Sequence, residues 1–111
     1  MLTHIVIWKY RADVSAGRRA EHVARLRAPE VETLSVGFDV LRLPRSYDLG
    51  LVAVFRDRAG LDAYTVHPEH VKVADLGREI SEHVASVDFE DVPDASREDA
   101  ADARGPEDDA R

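Results

Sequence analysis

Apolar residues recur along this chain in two rhythms, one of period two and one of helical spacing. Residues 4–10 are apolar on both alternating sets, with His4, Val6, Trp8 and Tyr10 pointing one way and Ile5 and Ile7 the other. That pattern predicts a strand covered on both faces. A helix is predicted over about Ser15 to Arg27, with Ser15 as its N-cap and Ala16, Ala20, Val23 and Leu26 (or Ala24) as its apolar stripe. Pro29 blocks its continuation.

Alternation returns over residues 33–41, where Leu34, Val36, Phe38 and Val40 face away from Ser35, Gly37 and Asp39. Leu43-Pro44-Arg45-Ser46 reads as a turn, and residues 47–55 form a strand apolar on both faces, Leu49, Leu51, Ala53 and Phe55 against Val52 and Val54. Two strands joined this closely are expected to pair as an antiparallel hairpin. Asp57 then caps a short helical stretch through Leu61, Ala63 and Tyr64. Pro68 suits the first position of another helix and Glu69 its positive end. That helix is predicted to run to about Val84, with Val73, Leu76, Ile80 and Val84 as its stripe, before a last strand over Ala85–Glu90.

The order β-α-β-β-α-β predicts an α+β, ferredoxin-like sandwich. Both helices of that topology lie on one face of the sheet, so the apolar residues of the other face, Ile5, Ile7, Val52 and Val54, are left uncovered. An uncovered apolar face of this kind marks an interface, and a second copy of the chain is its simplest cover. A homodimer is therefore expected.

Composition narrows this picture. The 111 residues suffice for one domain, and the absence of cysteine excludes disulfides and thiolate chemistry. The net charge of −7 is uneven: Val92 to Arg111 carries seven acids against three arginines. With no aromatic residue there and Val92 its one large aliphatic, residues 92–111 are expected to form an acidic disordered tail behind a domain of residues 1–91. Neither part offers the basic field that a nucleic acid requires. No apolar run approaches a membrane span and the N-terminus does not read as a signal peptide, so a cytoplasmic protein is the expectation.

The chemistry-bearing residues cluster around Tyr64, His67, Pro68 and His70, where one helix ends and the next begins. A histidine at such a break can shuttle protons near neutrality, and a nearby tyrosine hydroxyl can donate to a developing oxyanion. Capping alone also accounts for His67 and Pro68. His67 and His70 have i, i+3 spacing, with His4 or Glu69 as the nearest third ligand, but no HExxH or Cys/His grid is present, and no metal is expected. His4 and Trp8 share a strand face; a strand-end hydrogen bond explains the first and core packing the second. His22 and His83 fall on predicted helices and read as solvated positions, and Tyr47-Asp48 as turn residues. No nucleophile elbow or nucleotide fingerprint occurs, and no cofactor is expected.

Three stretches resemble the stress-responsive dimeric α/β-barrel (Dabb) family: His4-Ile5-Val6-Ile7-Trp8-Lys9, Tyr47-Asp48 with Leu51 and Phe55, and Leu61-Asp62-Ala63-Tyr64-Thr65-Val66-His67-Pro68-Glu69-His70-Val71. The resemblance covers roughly residues 1–90. It implies a homodimer whose two sheets form a barrel, with a pocket between each sheet and its helices for a small hydrophobic or aromatic ligand. Through a plant member, olivetolic acid cyclase, it implies a cofactor-free polyketide cyclase-like lyase with His70 as general base and Tyr64 positioning substrate. It also implies His4 in the pocket, joined on the reading above by Trp8 and His67. A further pocket histidine of that cyclase falls at Leu49 here, and the link between Arg27 and Val31 is shorter than the family pattern. Two other readings fit the same fold: a non-catalytic stress or structural protein, and a cofactor-free monooxygenase of the antibiotic-biosynthesis type. A pocket of several hundred Å³ lined by His4, Trp8, Tyr64 and His70 would favour ligand binding; a filled one would favour the stress-protein reading.

Overall fold

The computed structural model describes residues 1–27, 31 and 33–92. The stop assigned to Pro29, the short link after Arg27 and all of the acidic tail beyond Val92 lie outside the described residues. The elements are β1 (Leu2–Tyr10), α1 (Ala16–Arg27), β2 (Thr33–Phe38), β3 (Leu49–Phe55), α2 (Arg58–Val66), α3 (Pro68–Ile80) and β4 (Ser81–Glu90). The strands form one antiparallel sheet in the order β2-β3-β1-β4, the ferredoxin-like arrangement expected from the pattern.

Local chemistry explains where the elements begin. The Ser15 hydroxyl accepts from the Arg18 amide at 3.1 Å and the Asp57 carboxylate from the Gly60 amide at 3.0 Å, so both expected N-caps are in place. His67 closes α2 and opens α3. Its amide donates to the Tyr64 carbonyl at 3.2 Å, its Nδ1 accepts from the Glu69 amide at 3.2 Å, and Pro68 follows at N1.

Register divides the sheet into two faces. Leu2, His4, Val6, Trp8 and Tyr10 of β1 share the helix-bearing face with Leu49, Leu51 and Ala53 of β3. There Val6, Trp8, Tyr10, Leu49, Leu51 and Ala53 pack with Val23 and Leu26 of α1 and Val73 and Ile80 of α3. A smaller cluster joins Leu2, Leu61 and Tyr64. The opposite face carries Ile5 and Ile7 flanked by Val52 and Val87, with Val54 and Phe89 one step along. No described element covers it: Val52 is 39 %, Val87 52 % and Phe89 38 % exposed.

Five expectations need correcting. α3 ends at Ile80 rather than near Val84, because Ser81 to Val84 are drawn into the β1 ladder, Val84 opposite Trp8; tertiary pairing overrides helical periodicity here. β2 ends at Phe38, since the Asp39 carboxylate accepts from the Arg42 amide at 2.7 Å and turns the chain, leaving Val40 and Leu41 in solvent. Arg42 takes the one positive φ among described non-glycine residues, 52°. Ala16 and Ala20 are exposed, and the buried face of α1 is His22, Val23 and Leu26. His22, read as solvated, is completely buried, because the edge of Trp8 and the Tyr10 hydroxyl leave it a polar niche inside the core. His83 is exposed as expected, but on β4 rather than on a helix.

Candidate functional site

A cavity of about 160 Å³ lies between β1, β4, α1 and α3. Its walls are Val6, Trp8, Leu26, Ala74 and Val84, and its polar groups are His4, His70, Arg78 and Ser86. Strand alternation brings His4, Val6 and Trp8 there from β1 and Val84 and Ser86 from β4; the helical repeat brings His70, Ala74 and Arg78 from α3.

His4 is held from the neighbouring strand. Its Nδ1 hydrogen-bonds the carboxylate of Asp88, directly across the β1–β4 ladder. A neutral imidazole in this contact carries its proton on Nδ1 and keeps Nε2 as an acceptor; a protonated one forms an ion pair with Asp88. Asp88 escaped the sequence reading. The signal it offered was an acid at a helix-facing position of an alternating strand, between Val87 and Phe89.

His70 sits in the first turn of α3, half-buried, with Nδ1 fully enclosed and unpartnered among the described residues. Burial pushes its pKa below the usual histidine value, and the positive potentials of His4, Arg78 and His67 act in the same direction. The ring of Tyr64 packs on His70 with centroids 4.2 Å apart, and Phe55 packs on Tyr64 at 5.2 Å. Burial raises the Tyr64 pKa, so its hydroxyl stays protonated.

The structure thus brings His4, Trp8 and His70 to one cavity, with Tyr64 behind His70 rather than on the lining. His67 is an exposed cap, and Leu49 is a core residue opposite Trp8. The volume is below the several hundred Å³ expected, because Trp8 and His22 fill the space between β1 and α1. Arg78, Ser86 and Asp88 join the set. No group of three metal-binding side chains occurs among the described residues, and no described helix is long and apolar enough to cross a membrane.

A larger, more open depression of about 550 Å³ borders Asp88 on the α2 side. It holds no histidine, and its arginine, Arg58, is paired with Asp62 at 2.8 Å.

Solved structures share this architecture. A dimeric ferredoxin-like protein of unknown function from Thermobifida fusca is 22% identical, with a TM-score of 0.71 over 79% of this chain and 88% of that one. A hydroxynitrile lyase from Passiflora edulis is 17% identical, with a TM-score of 0.71 over 83% and 96%. An antibiotic biosynthesis monooxygenase is 19% identical, with a TM-score of 0.63 over 84% and 100%. No curated protein matches the chain. The family model described as the stress responsive A/B barrel domain matches residues 2–91, and on that match, carried by the βαββαβ domain just described, the chain belongs to the Dabb family.

Proposed function

We propose that the chain is a homodimer that binds a small molecule in the His4–His70 cavity and moves protons there without a cofactor. The observation that carries this reading is the pairing on one cavity of two imidazoles with different surroundings, one held by a carboxylate and one half-buried without a partner among the described residues. His70 is favoured neutral by burial, which is what a general base needs near neutral pH. His4 has a carboxylate to balance its charge, so its protonated form presents an Nε2–H to a developing oxyanion. Tyr64 holds the His70 ring from behind and keeps water from it. The reaction class that fits is proton abstraction beside a carbonyl, the opening step of an aldol-type ring closure. A hydroxynitrile lyase on the same fold supports an enzymatic use of it.

The dimer follows from the face bearing Ile5, Ile7, Val52, Val54, Val87 and Phe89, which one chain leaves in water. The dimeric neighbour from Thermobifida fusca supports it.

The test is α-deuterium exchange of a small ring ketone, cyclohexanone, followed by NMR. Exchange above the buffer rate is expected for the wild type, falling by roughly 10²-fold or more in His70→Ala. Equal exchange in the two proteins would show that His70 is not the base. Consumption of oxygen with an electron-rich aromatic would instead favour the monooxygenase reading.

A further inference from the structure

Gly77 faces the back of the cavity wall. A Cβ built there would lie 2.8 Å from Trp8 Nε1, 3.0 Å from His22 Nε2 and 3.4 Å from Trp8 Cδ1. The first of these is closer than non-bonded carbon and nitrogen tolerate, and all three contacts are to rigid rings. The two rings reach up to the α3 backbone only because residue 77 has no side chain.

Behind the indole there is no slack. The His22 imidazole meets it edge-to-face, centroids 5.0 Å apart and planes at 87°. The Tyr10 hydroxyl hydrogen-bonds His22 Nδ1 at 2.7 Å, and the Arg19 guanidinium lies 4.9 Å over the Tyr10 ring. His22 is fully buried and Tyr10 nearly so. Of the cavities described above, the one that Trp8 lines is the His4–His70 cavity.

We infer that Gly77 and His22 set the depth of the cavity by fixing Trp8 as its floor, and that they limit its occupant to about one six-membered ring. This inference rests on the ligand-binding reading above. A dry cavity of about 150 Å³ holds a molecule the size of benzene, and the cavity here matches that size. A side chain at residue 77 drives the indole into the cavity; a smaller residue at 8 lets a longer occupant in.

The experiment measures binding of two probes, phenol and 2-naphthol, by ligand-observed NMR and calorimetry. The wild type is expected to bind phenol at least tenfold more tightly than 2-naphthol. Gly77→Ala should weaken phenol at least tenfold. Trp8→Leu should reverse the size preference. Gly77→Ala in the Trp8→Leu background should cost far less phenol affinity than in the wild type, since the nearer clash, with the indole, is gone and only the 3.0 Å approach to His22 Nε2 remains; this pair keeps the test decisive if Gly77→Ala alone does not fold. The emission of Trp8, the sole tryptophan, should also shift in Gly77→Ala. If Gly77→Ala binds phenol like the wild type, or costs as much phenol affinity in the Trp8→Leu background as in the wild type, the depth rule fails while ligand binding stands. If the wild type binds neither probe and His70→Ala leaves ketone exchange unchanged, the depth rule falls together with the reading beneath it.

Discussion

Tyr64 and His70 lie ring against ring across the junction of α2 and α3, centroids 4.2 Å apart and planes tilted by 46°. The contact makes the tyrosine part of the dry wall that disfavours the imidazolium form of His70. Tyr64→Phe keeps the ring and should leave the His70 pKa depressed. Tyr64→Ala admits water and should raise it toward the ordinary value of about 6.5. Proton NMR titration of the His70 ring reads both. A fall in activity in Tyr64→Phe without a change in that titration would assign the work to the hydroxyl instead.

Asp88→Asn tests the second imidazole. The amide keeps the shape of the contact with His4 but removes the negative charge that balances a protonated ring. If His4 acts as the cationic partner, turnover should fall roughly tenfold or more. Phenol binding should be nearly unchanged, because Asp88 does not line the cavity. Loss of binding equal to the loss of rate would mean that Asp88 serves only to hold the strand pair together.

The sequence pattern made the strands legible where both alternating sets were apolar, as in Ile5-Val6-Ile7-Trp8 and Leu51-Val52-Ala53-Val54, because runs this short and rich in β-branched residues fit a covered strand better than a buried helix. It misled at Ser81 to Val84, where helical spacing continued on paper but pairing with Trp8 and Lys9 gave the backbone a better partner. The His-Pro break of Tyr64, His67, Pro68 and His70 could be read from local chemistry alone. The partner of His4 could not: Asp88 lies 84 residues away, and only the β1–β4 register brings them together. His22 was hidden for a similar reason. Its niche is built by Tyr10, Trp8 and Gly77 from two other elements, and the sign within α1 is only its i, i+4 spacing to Leu26.

The open face of the sheet gives a prediction independent of the cavity. Val52 sits on it beside Ile5, with Val87 on the far side of Ile5. Val52→Asp places a charge where a second copy is expected to pack, and burying an unpaired carboxylate there is strongly unfavourable. Analytical ultracentrifugation at micromolar concentration should show a dimer for the wild type and a monomer for the variant. The far-ultraviolet circular dichroism of the two should agree. A wild-type monomer, or a variant dimer of equal strength, would place the interface elsewhere.

His22 should make the fold sensitive to mild acid. Burial lowers its pKa to about 4, and no charged partner offsets the loss of hydration. In the unfolded chain the same ring titrates near 6.5. Below that value the unfolded state binds the proton first, so the native state loses ground as pH falls from about 6.5, and the loss levels off once the native ring also protonates near 4. The Tyr10 phenol, its pKa pushed up to about 12 chiefly by burial, stays neutral throughout; it can donate to the Nδ1 of a neutral His22 and must accept from it once the ring is protonated. The largest contribution this shift allows is about 3 kcal/mol. His22→Gln retains an acceptor for Tyr10 and does not titrate. Urea unfolding at pH 7, 5.5 and 4 should therefore show the wild type losing more stability than the variant across that window, with the difference closing at higher pH. Parallel pH profiles for the two proteins would mean that the buried ring is already protonated in the fold, or that water reaches it.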